Sequence, residues 1–315
     1  MARLRIVFMG TPELASASLE ALLREPSFEL VAVATQPDRP KGRDLKKLPS
    51  PVKEIALQHG LPVLQPTKAR DEAFVTELRR LQPDLIAVAA YGQILPESIL
   101  NVPRFGCLNV HTSLLPKYRG ASPIQSAILN GDEMTGVTIM KMDEELDTGG
   151  IVFQESTPIH PEDDSQTLHD RLAQMGAQLL VKTIPSFADG TIKPRPQPVE
   201  GISFAPKIQK EDGRIVWGQS ATAIWNRIRA FTPWPGAFTF LPTQPQPQLL
   251  KLWKAAVTES RGQPGEIMQA GKSGVIVACG EDALCVHSLQ REGGRRMTAQ
   301  EFLAGHPLKP GSILQ

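Results

Sequence analysis

The sequence predicts an α/β protein in which a doubly wound, mostly parallel sheet is followed by a small β-barrel. In the first part, short apolar runs alternate with segments of helical spacing. A stretch rich in Pro and Gly at 190–206 interrupts this pattern, and evenly spaced short strand-like runs follow it. Because 315 residues exceed what one hydrophobic core usually serves, we predict domains at 1–189 and 207–315, joined by an extended linker.

The alternation in the first domain is typical of strands that are buried on both faces and covered by helices. Helical spacing falls at Glu13–Arg24 and Asp71–Leu81. The strand-like runs are Leu4–Gly10, Phe28–Gln36, Leu61–Pro66, Asp84–Tyr91 and Gly106–His111. In such sheets ligands bind beyond the carboxyl ends of the strands, so the residues that end these runs are the first to inspect.

Two further runs complete this domain, Gly136–Met142 and Ile151–Ile159, which are joined by DEELDTGG and followed by a helical segment at 165–187. Gly10, after the first run, is not followed by the further glycines of a dinucleotide fingerprint, so we expect no nicotinamide cofactor. The second domain starts with a helical segment at 221–230. Its strand-like runs are AFTFL, LLKLWKAAV, GEIMQA, GVIVAC and ALCVHSLQ.

Charge is distributed unevenly along a chain whose formal net charge is only +1. From Pro206 onward there are 13 Lys and Arg against 8 Asp and Glu, a net charge of +5, whereas the preceding part carries −4. This asymmetry suggests a nucleic-acid or phosphate partner, although scattered cations more often form a solvated face. The three cysteines lack zinc or disulfide spacing, so we expect no metal. The N-terminal apolar run is short, which favours a cytoplasmic protein.

Three polar residues lie at or near strand ends in the second half of the predicted sheet: Asn109, His111 and Asp147. An amide can donate to an oxygen that becomes negative, an imidazole can carry a proton, and a carboxylate can accept one. Singly, each residue has an ordinary explanation: a turn-forming Asn, a structural His and an Asp that caps its own backbone. Ser113 lies on a loop rather than on a nucleophile elbow, which favours direct transfer between two substrates.

The stretch HTSLLPKYRG resembles the signature of the 10-formyltetrahydrofolate-dependent formyltransferases, and Asn109, His111 and Asp147 match the catalytic Asn, His and Asp of that family. The resemblance extends over nearly the whole chain to members that formylate an aminoacyl-tRNA. It rests on FMGTPELA, QPDRPKGR, AYGQILP, HTSLLPKYRGASPIQ, GVTIMKMDEELDTG, FAPKI and NRIRAFTPWPGAF. It implies a Rossmann-like formyltransferase domain and an OB-like barrel.

The resemblance also implies the reaction. The amine of methionine esterified to initiator tRNA would attack the formyl carbon of 10-formyltetrahydrofolate. Because α-amino groups have a pKa near ~8, a useful fraction is neutral without a strong base. We expect Asn109 and His111 to meet the oxyanion, and Asp147 to remove a proton and orient His111. The residues expected to bind the folate are Tyr91, Gly92, Ser113, Leu114, Leu115 and Pro116.

A basic insert at 37–53 is far longer than the ~2–6 residues expected between a strand and a helix. It is either a solvated loop or, as the resemblance implies, a basic finger that engages the tRNA acceptor stem, with Arg43 as its main contact. The predicted tRNA contacts are Arg39, Lys41, Arg43, Lys46, Lys47, Lys207 and Arg227. Lys210, Arg214 and Arg229 would extend the barrel surface. Among the aromatics, Phe231, Trp234 and Phe238 are expected to pack in the core or between domains rather than stack on bases.

Two alternatives stay open at this stage. A formyltransferase that acts on a small amine, such as a nucleotide sugar or glycinamide ribonucleotide, would share the folate site but would not need the basic insert. A non-enzymatic RNA-binding protein on the same scaffold would not need Asn109, His111 and Asp147, which are all present. Nothing resembles an added dimerisation segment, so we expect a monomer.

Overall fold

The computed structural model describes residues 3–41, 46–242 and 246–315. Its contacts divide the chain into two compact units. The first contains residues 1–123, 134–158 and 169–205, and the second contains 124–133, 159–168 and 206–315. The 190–205 segment therefore groups with the first unit. The boundaries of independently folding domains, at 1–189 and 207–315, stay a prediction.

The first unit is built on a seven-stranded sheet with the order β10-β9-β7-β6-β1-β2-β5. The strands of this unit are β1 Leu4–Gly10, β2 Phe28–Ala34, β3 Arg39–Lys41, β4 Lys46–Leu48, β5 Val63–Leu64, β6 Leu85–Ala89, β7 Cys107–His111, β8 Arg119–Gly120, β9 Met134–Lys141, β10 Gly150–Pro158 and β11 Phe204–Ala205. The helices are α1 Glu13–Arg24, α2 Pro51–Gln58, α3 Glu72–Leu81 and α4 Glu97–Leu100, with α5 Pro123–Leu129 and α6 Ser165–Ala188 contributing residues to both units.

Five neighbouring strands of this sheet, β7, β6, β1, β2 and β5, run parallel. Strand β9 pairs with β7 antiparallel, and β10 pairs with β9 antiparallel. The α/β prediction with a mostly parallel sheet is therefore confirmed. Every residue of β6 is buried, which explains the continuous apolar run of its sequence. Helix α3 is amphipathic and buries Phe74, Val75 and Leu78 in the core beside this sheet. Each such side chain contributes about 1.5–3 kcal/mol by leaving water.

Antiparallel pairing of β7 with β9 sets the neighbourhood of the predicted site. Asn109 lies opposite Met140, and His111 lies opposite Thr138. The loop between β9 and β10 begins after Lys141, which is paired with Leu108. The pairing of β9 with β7 thus places this loop beside β7.

The segment 194–205, which we call the strap, was predicted to be part of an extended linker. Its backbone is largely extended, but it is held by hydrogen bonds within the first unit. Arg195 pairs with Ile151, and β11 pairs in parallel with β8. Pro and Gly suppress periodicity without preventing an extended chain from adding to another strand, so the composition alone could not separate a linker from the strap.

The second unit carries an antiparallel sheet with the order β12-β13-β16-β15-β14, and β17 pairs with β16. Its elements are a 3₁₀ turn Lys210–Gly213, α7 Ala221–Ala230, β12 Ala237–Leu241, β13 Gln248–Thr258, β14 Ile267–Gly271, β15 Gly274–Ala278, β16 Ala283–Arg291, β17 Met297–Thr298 and α8 Ala299–Gly305. The chain end closes the path between the two edges. Leu314 donates to the carbonyl of Gly265 beside β14, and Gln315 exchanges two hydrogen bonds with Phe240 of β12. This closure makes a small barrel, as predicted.

Helices in the described part of the chain are all too short or too polar to cross a membrane. In the basic insert, β3 and β4 form an antiparallel pair, with Arg39 opposite Leu48 and Lys41 opposite Lys46. The insert ends in the first turn of α2, where the hydroxyl of Ser50 accepts the Lys53 N–H as a helix cap. Arg43 lies outside the described residues.

Candidate active site

Strand β7 presents Asn109 and His111 on one face, because side chains two apart in a strand point the same way. Asn109 is half-buried, and its side-chain amide has no hydrogen-bond partner among the described residues. His111, at the carboxyl end of the strand, is 5% exposed. One free amide and one buried imidazole thus lie at the end of a strand, where α/β sheets bind ligands.

The imidazole of His111 has a hydrogen-bond partner at one nitrogen and a carboxylate near the other. Nε2 lies 3.0 Å from the carbonyl oxygen of Tyr118, and Nδ1 lies 3.7 Å from Oδ2 of Asp147. A carbonyl oxygen only accepts hydrogen bonds, so Nε2 carries a proton and Nδ1 is the atom that can exchange one. Burial lowers the pKa of His111, and the charge of Asp147 and the Tyr118 carbonyl oppose that shift. The resting imidazole is therefore neutral near pH 7.

Asp147 lies in the loop between β9 and β10 with a left-handed backbone, at φ 54°. Its Oδ2 accepts the backbone N–H of Gly120 at 2.8 Å. A non-Gly residue at positive φ costs about 1–2 kcal/mol, and strain of this kind persists where surrounding contacts fix the loop. The carboxylate that faces His111 is therefore held in place rather than merely capping its own backbone.

Position 120 accepts only a glycine, for conformational and steric reasons. Its φ is 120°, and a Cβ atom built on it would lie 2.7 Å from the carbonyl oxygen of Ala205. The strap therefore approaches β8 too closely for a side chain. This close approach aims the Gly120 N–H at Asp147.

The sequence analysis missed Gln197, a residue of the strap. Its Nε2 donates to the carbonyl oxygens of Asp147 and Gly149 at 2.7 and 2.9 Å. Its Oε1 accepts from Nε and Nη2 of Arg119 at 3.1 and 2.7 Å. A glutamine in a Pro-rich segment carries no local signal of this role.

Residues 113–116, predicted to bind folate, are tied to β9 and β10. The buried hydroxyl of Thr138 donates to the Ser113 carbonyl at 2.6 Å and accepts the Leu115 N–H at 3.1 Å. Gln154 donates to the Leu115 carbonyl at 2.9 Å. Of the four residues only Leu114 is partly exposed, so their backbone groups are mostly engaged within the protein. Folate contact stays a prediction for Ser113, Leu114, Leu115 and Pro116.

Tyr91 and Gly92, the other predicted folate residues, have different environments. The Tyr91 side chain is 2% exposed in the core, and its carbonyl accepts from Thr11 and Gln36. Gly92 is exposed with φ 82°, and Ala90, two residues earlier, has φ 44°. Two left-handed residues separated by only Tyr91, just after a strand end, form the kind of strained loop that lines ligand sites. Contact by the backbone near Gly92 therefore fits better than contact by the Tyr91 ring.

The predicted tRNA contacts of the first unit are distributed over the basic insert. Arg39 is exposed and donates to Gln36 at 3.2 Å. Lys41, Lys46 and Lys47 lie on β3 and β4. Lys53 is engaged internally, since its ammonium lies 2.7 Å from Asp38 and 2.8 Å from Gln65.

In the second unit, Lys207 is exposed, whereas Arg227 is partly buried. Nη1 of Arg227 donates to the Asp212 carbonyl, and burial lowers the pKa of this guanidinium. Arg229 donates to the carbonyls of His160 and Asp163, so it holds this unit together. The first of the predicted core aromatics, Phe231, is buried, but Trp234 is 57% exposed. The described residues contain no group of three or more His, Cys, Asp or Glu placed to hold a metal.

Comparison with known proteins identifies the family. The chain matches the formyl transferase model over residues 4–184 and the formyl transferase C-terminal domain model over 207–307. It is 50% identical to a methionyl-tRNA formyltransferase of Citrifermentans bemidjiense, covering 100% of this chain and 97% of the relative. It is also 50% identical to one of Myxococcus xanthus, covering 99% and 98%.

Among solved structures, an N-formyltransferase from Helicobacter canadensis in complex with folinic acid and dTDP-3-aminofucose superposes with a TM-score of 0.65. It is 20% identical and covers 94% of this chain and 100% of its own, which supports the fold alone. The full-length matches at 50% identity carry the assignment. The chain therefore belongs to the formyl transferase family, among the methionyl-tRNA formyltransferases.

Proposed function

We propose that this protein transfers a formyl group from 10-formyltetrahydrofolate to the α-amino group of methionyl-initiator tRNA, and so prepares it for translation initiation. The observation that carries the chemistry is the contact between His111 and Asp147 beside the free amide of Asn109, at the end of β7. The choice of substrates is supported by the full-length relatives, which are methionyl-tRNA formyltransferases.

Asn109 stabilises the oxygen of the formyl group as it becomes negative. Its side-chain N–H groups have no partner among the described residues, so they can bind this oxygen without first breaking an internal bond. A preorganised donor of this kind typically contributes a factor on the order of 10²–10³ to the rate.

Asp147 and His111 manage the proton that leaves the amine. Nδ1 of the neutral His111 and the Asp147 carboxylate both accept protons, and they lie 3.7 Å apart. Once Nδ1 is protonated, it becomes a donor to the same oxyanion, and Asp147 stabilises the new positive charge. A proton removed from the amine thus helps to neutralise the charge that forms on the oxygen. It passes to N10 of tetrahydrofolate when the intermediate collapses and the bond between the formyl carbon and N10 breaks.

The transfer is direct. The hydroxyl of Ser113, the nearest serine or cysteine in sequence to His111, is buried and donates to the Lys117 carbonyl at 2.6 Å. It is therefore neither accessible nor activated by a base. Gly92 and the segment 113–116 position the folate, with Leu114 as the accessible residue of that segment.

The basic insert binds the phosphates at the acceptor end of the tRNA. Lys207 and Arg227 of the second unit add contacts to the sugar-phosphate backbone of the RNA. Arg227 is the weaker candidate, because its guanidinium already donates to Asp212. The protein acts as a monomer in the cytoplasm, where its two substrates are available.

The test is formylation of methionyl-initiator tRNA with 10-formyltetrahydrofolate, compared with free methionine and a nucleotide amino sugar. We expect only the tRNA to be an efficient acceptor, and equal use of free methionine would exclude the tRNA assignment. Asn109→Ala, His111→Ala and Asp147→Ala should bind tRNA normally and lose turnover by about 10²–10³. Asn101→Ala, at an exposed position outside the site, is the matched control for Asn109→Ala.

A further inference from the structure

Four groups form a closed ring of contacts around the Asp147 loop. Gln197 binds the Asp147 backbone carbonyl, and Gly120 binds the Asp147 carboxylate. Gln197 also binds the side chain of Arg119, the residue before Gly120 in β8. The strap is therefore connected to β8 and to the Asp147 loop by the Gln197 side chain. Its backbone also pairs with β8 and β10.

We infer that Gln197 is a positioning residue for the formyl transfer, which holds the Asp147 loop so that its carboxylate faces His111. This inference rests on the proposed function. Gln197 acts through Asp147 and not on the substrates themselves. Arg119 binds the oxygen of the same Gln197 amide whose nitrogen binds the loop, so the two residues act as one unit.

The orientation of the Gln197 amide follows from its partners. Guanidinium N–H groups only donate and carbonyl oxygens only accept, so the oxygen must face Arg119 and the NH₂ must face Asp147 and Gly149. Two acceptor and two donor interactions are thereby satisfied at once. Such a fully connected polar network fixes a single geometry.

The loop needs this support because its backbone is strained and crowded. Asp147 has φ 54°, and a Cβ at Gly149 would collide with the Lys141 carbonyl. Without the two Gln197 donors, the loop has lower-energy conformations in which the carboxylate no longer faces Nδ1 of His111. Misplacement of a reacting group by about 1 Å can cost on the order of 10²-fold in rate.

Gln197→Glu separates positioning from space filling. Glutamate has the same shape and strengthens the contact with Arg119, so the variant should fold. Its carboxylate oxygen, however, would face the carbonyls of Asp147 and Gly149, where two donors are now lost. Gln58→Glu, at an exposed position of α2, makes the same chemical change outside the site and serves as the control.

For Gln197→Glu we expect kcat to fall about 10–100-fold, with KM for tRNA and for folate within about twofold and the melting temperature close to wild type. Amide hydrogen exchange in residues 142–150 should accelerate, while β7 stays protected. Gln197→Ala should lower kcat similarly. Gln58→Glu should behave as wild type.

Wild-type kcat in Gln197→Glu would overturn the inference and leave the proposed function intact. A parallel loss of melting temperature and rise of both KM values would also overturn it, since that result indicates a structural role. If the wild-type protein itself fails to formylate methionyl-initiator tRNA, the proposed function is wrong instead. Exchange at 142–150 measures how firmly Gln197 holds the Asp147 loop, and this measurement needs no turnover.

Discussion

The backbone N–H of Gly120 donates to the carboxylate of Asp147 at 2.8 Å across 27 residues of sequence. The strap makes this contact possible, because it lies against Gly120 where any side chain would collide with Ala205. A glycine in β8 and a carboxylate in the β9–β10 loop are therefore coupled through a segment that neither belongs to.

Gly120→Ala should be strongly destabilising and nearly inactive. The added methyl group meets the Ala205 carbonyl at 2.7 Å, and φ 120° is unfavourable for alanine, so we expect a loss of about 2–4 kcal/mol of unfolding free energy. Urea titration and formylation assays measure the two effects. Gly201→Ala is the matched control, since Gly201 lies on the same strap at φ 80° with open space around it. Equal losses in both variants would show that strain alone, and not the close approach, explains the effect.

A feature can be predicted from the sequence when the residues that define it are close together along the chain. Asn109 and His111 end an apolar run, and parallel strands bring such ends to one edge of a sheet. The partners of Gln197 lie 50 and 78 residues away, and no periodicity marks them. The roles of Thr138 and Gln154 depend likewise on the register of β9 and β10, which composition does not determine.

His111 should make the stability of the protein depend on pH. Burial lowers its folded pKa below the value near ~6.5 of an unfolded histidine, despite the opposing charge of Asp147. The unfolded chain then binds a proton more readily than the folded one. The stability that neutral His111 contributes is present above pH ~6.5 and is lost as the pH falls through the folded pKa.

Urea unfolding of the wild type and of His111→Gln at several pH values measures this effect. The difference between their unfolding free energies should shrink as the pH falls below ~6.5, because glutamine does not titrate. Parallel curves would show that His111 has the same proton affinity in both states.

Tyr91→Phe should leave stability unchanged or raise it. The Tyr91 hydroxyl is buried without a partner among the described residues, and burial raises its pKa to about 12. An unsatisfied buried polar group costs about 1–3 kcal/mol, and phenylalanine removes it with little change of shape. Thermal unfolding measures the effect, and KM for folate should not change. A higher KM would show that the hydroxyl contacts the folate after all.

Thr138→Val should loosen the 113–116 segment. Valine keeps the shape of threonine but leaves the Ser113 carbonyl and the Leu115 N–H without their partner, at a cost of about 2–4 kcal/mol. We expect KM for folate to rise in this variant. Thr239→Val removes an equally buried hydroxyl in the barrel, so it should lose stability while KM for folate stays constant. An unchanged KM in Thr138→Val would remove the 113–116 segment from the folate site.

Lys53→Met and Lys47→Met should separate structural from RNA-binding cations of the basic insert. The Lys53 ammonium lies between Asp38 and Gln65 with 19% of its side chain exposed, so its loss should cost about 1–2 kcal/mol of stability. Lys47, on β4, is one of the predicted phosphate contacts. Its loss should raise KM for tRNA and reduce the slope of log K against log salt by about 1, with little change in stability. Thermal unfolding and tRNA titrations at several salt concentrations measure both effects. If Lys53→Met reduced the salt slope as strongly as Lys47→Met, then Lys53 would contact RNA despite its internal partners. The end of the insert in α2 would then bind RNA together with β3 and β4.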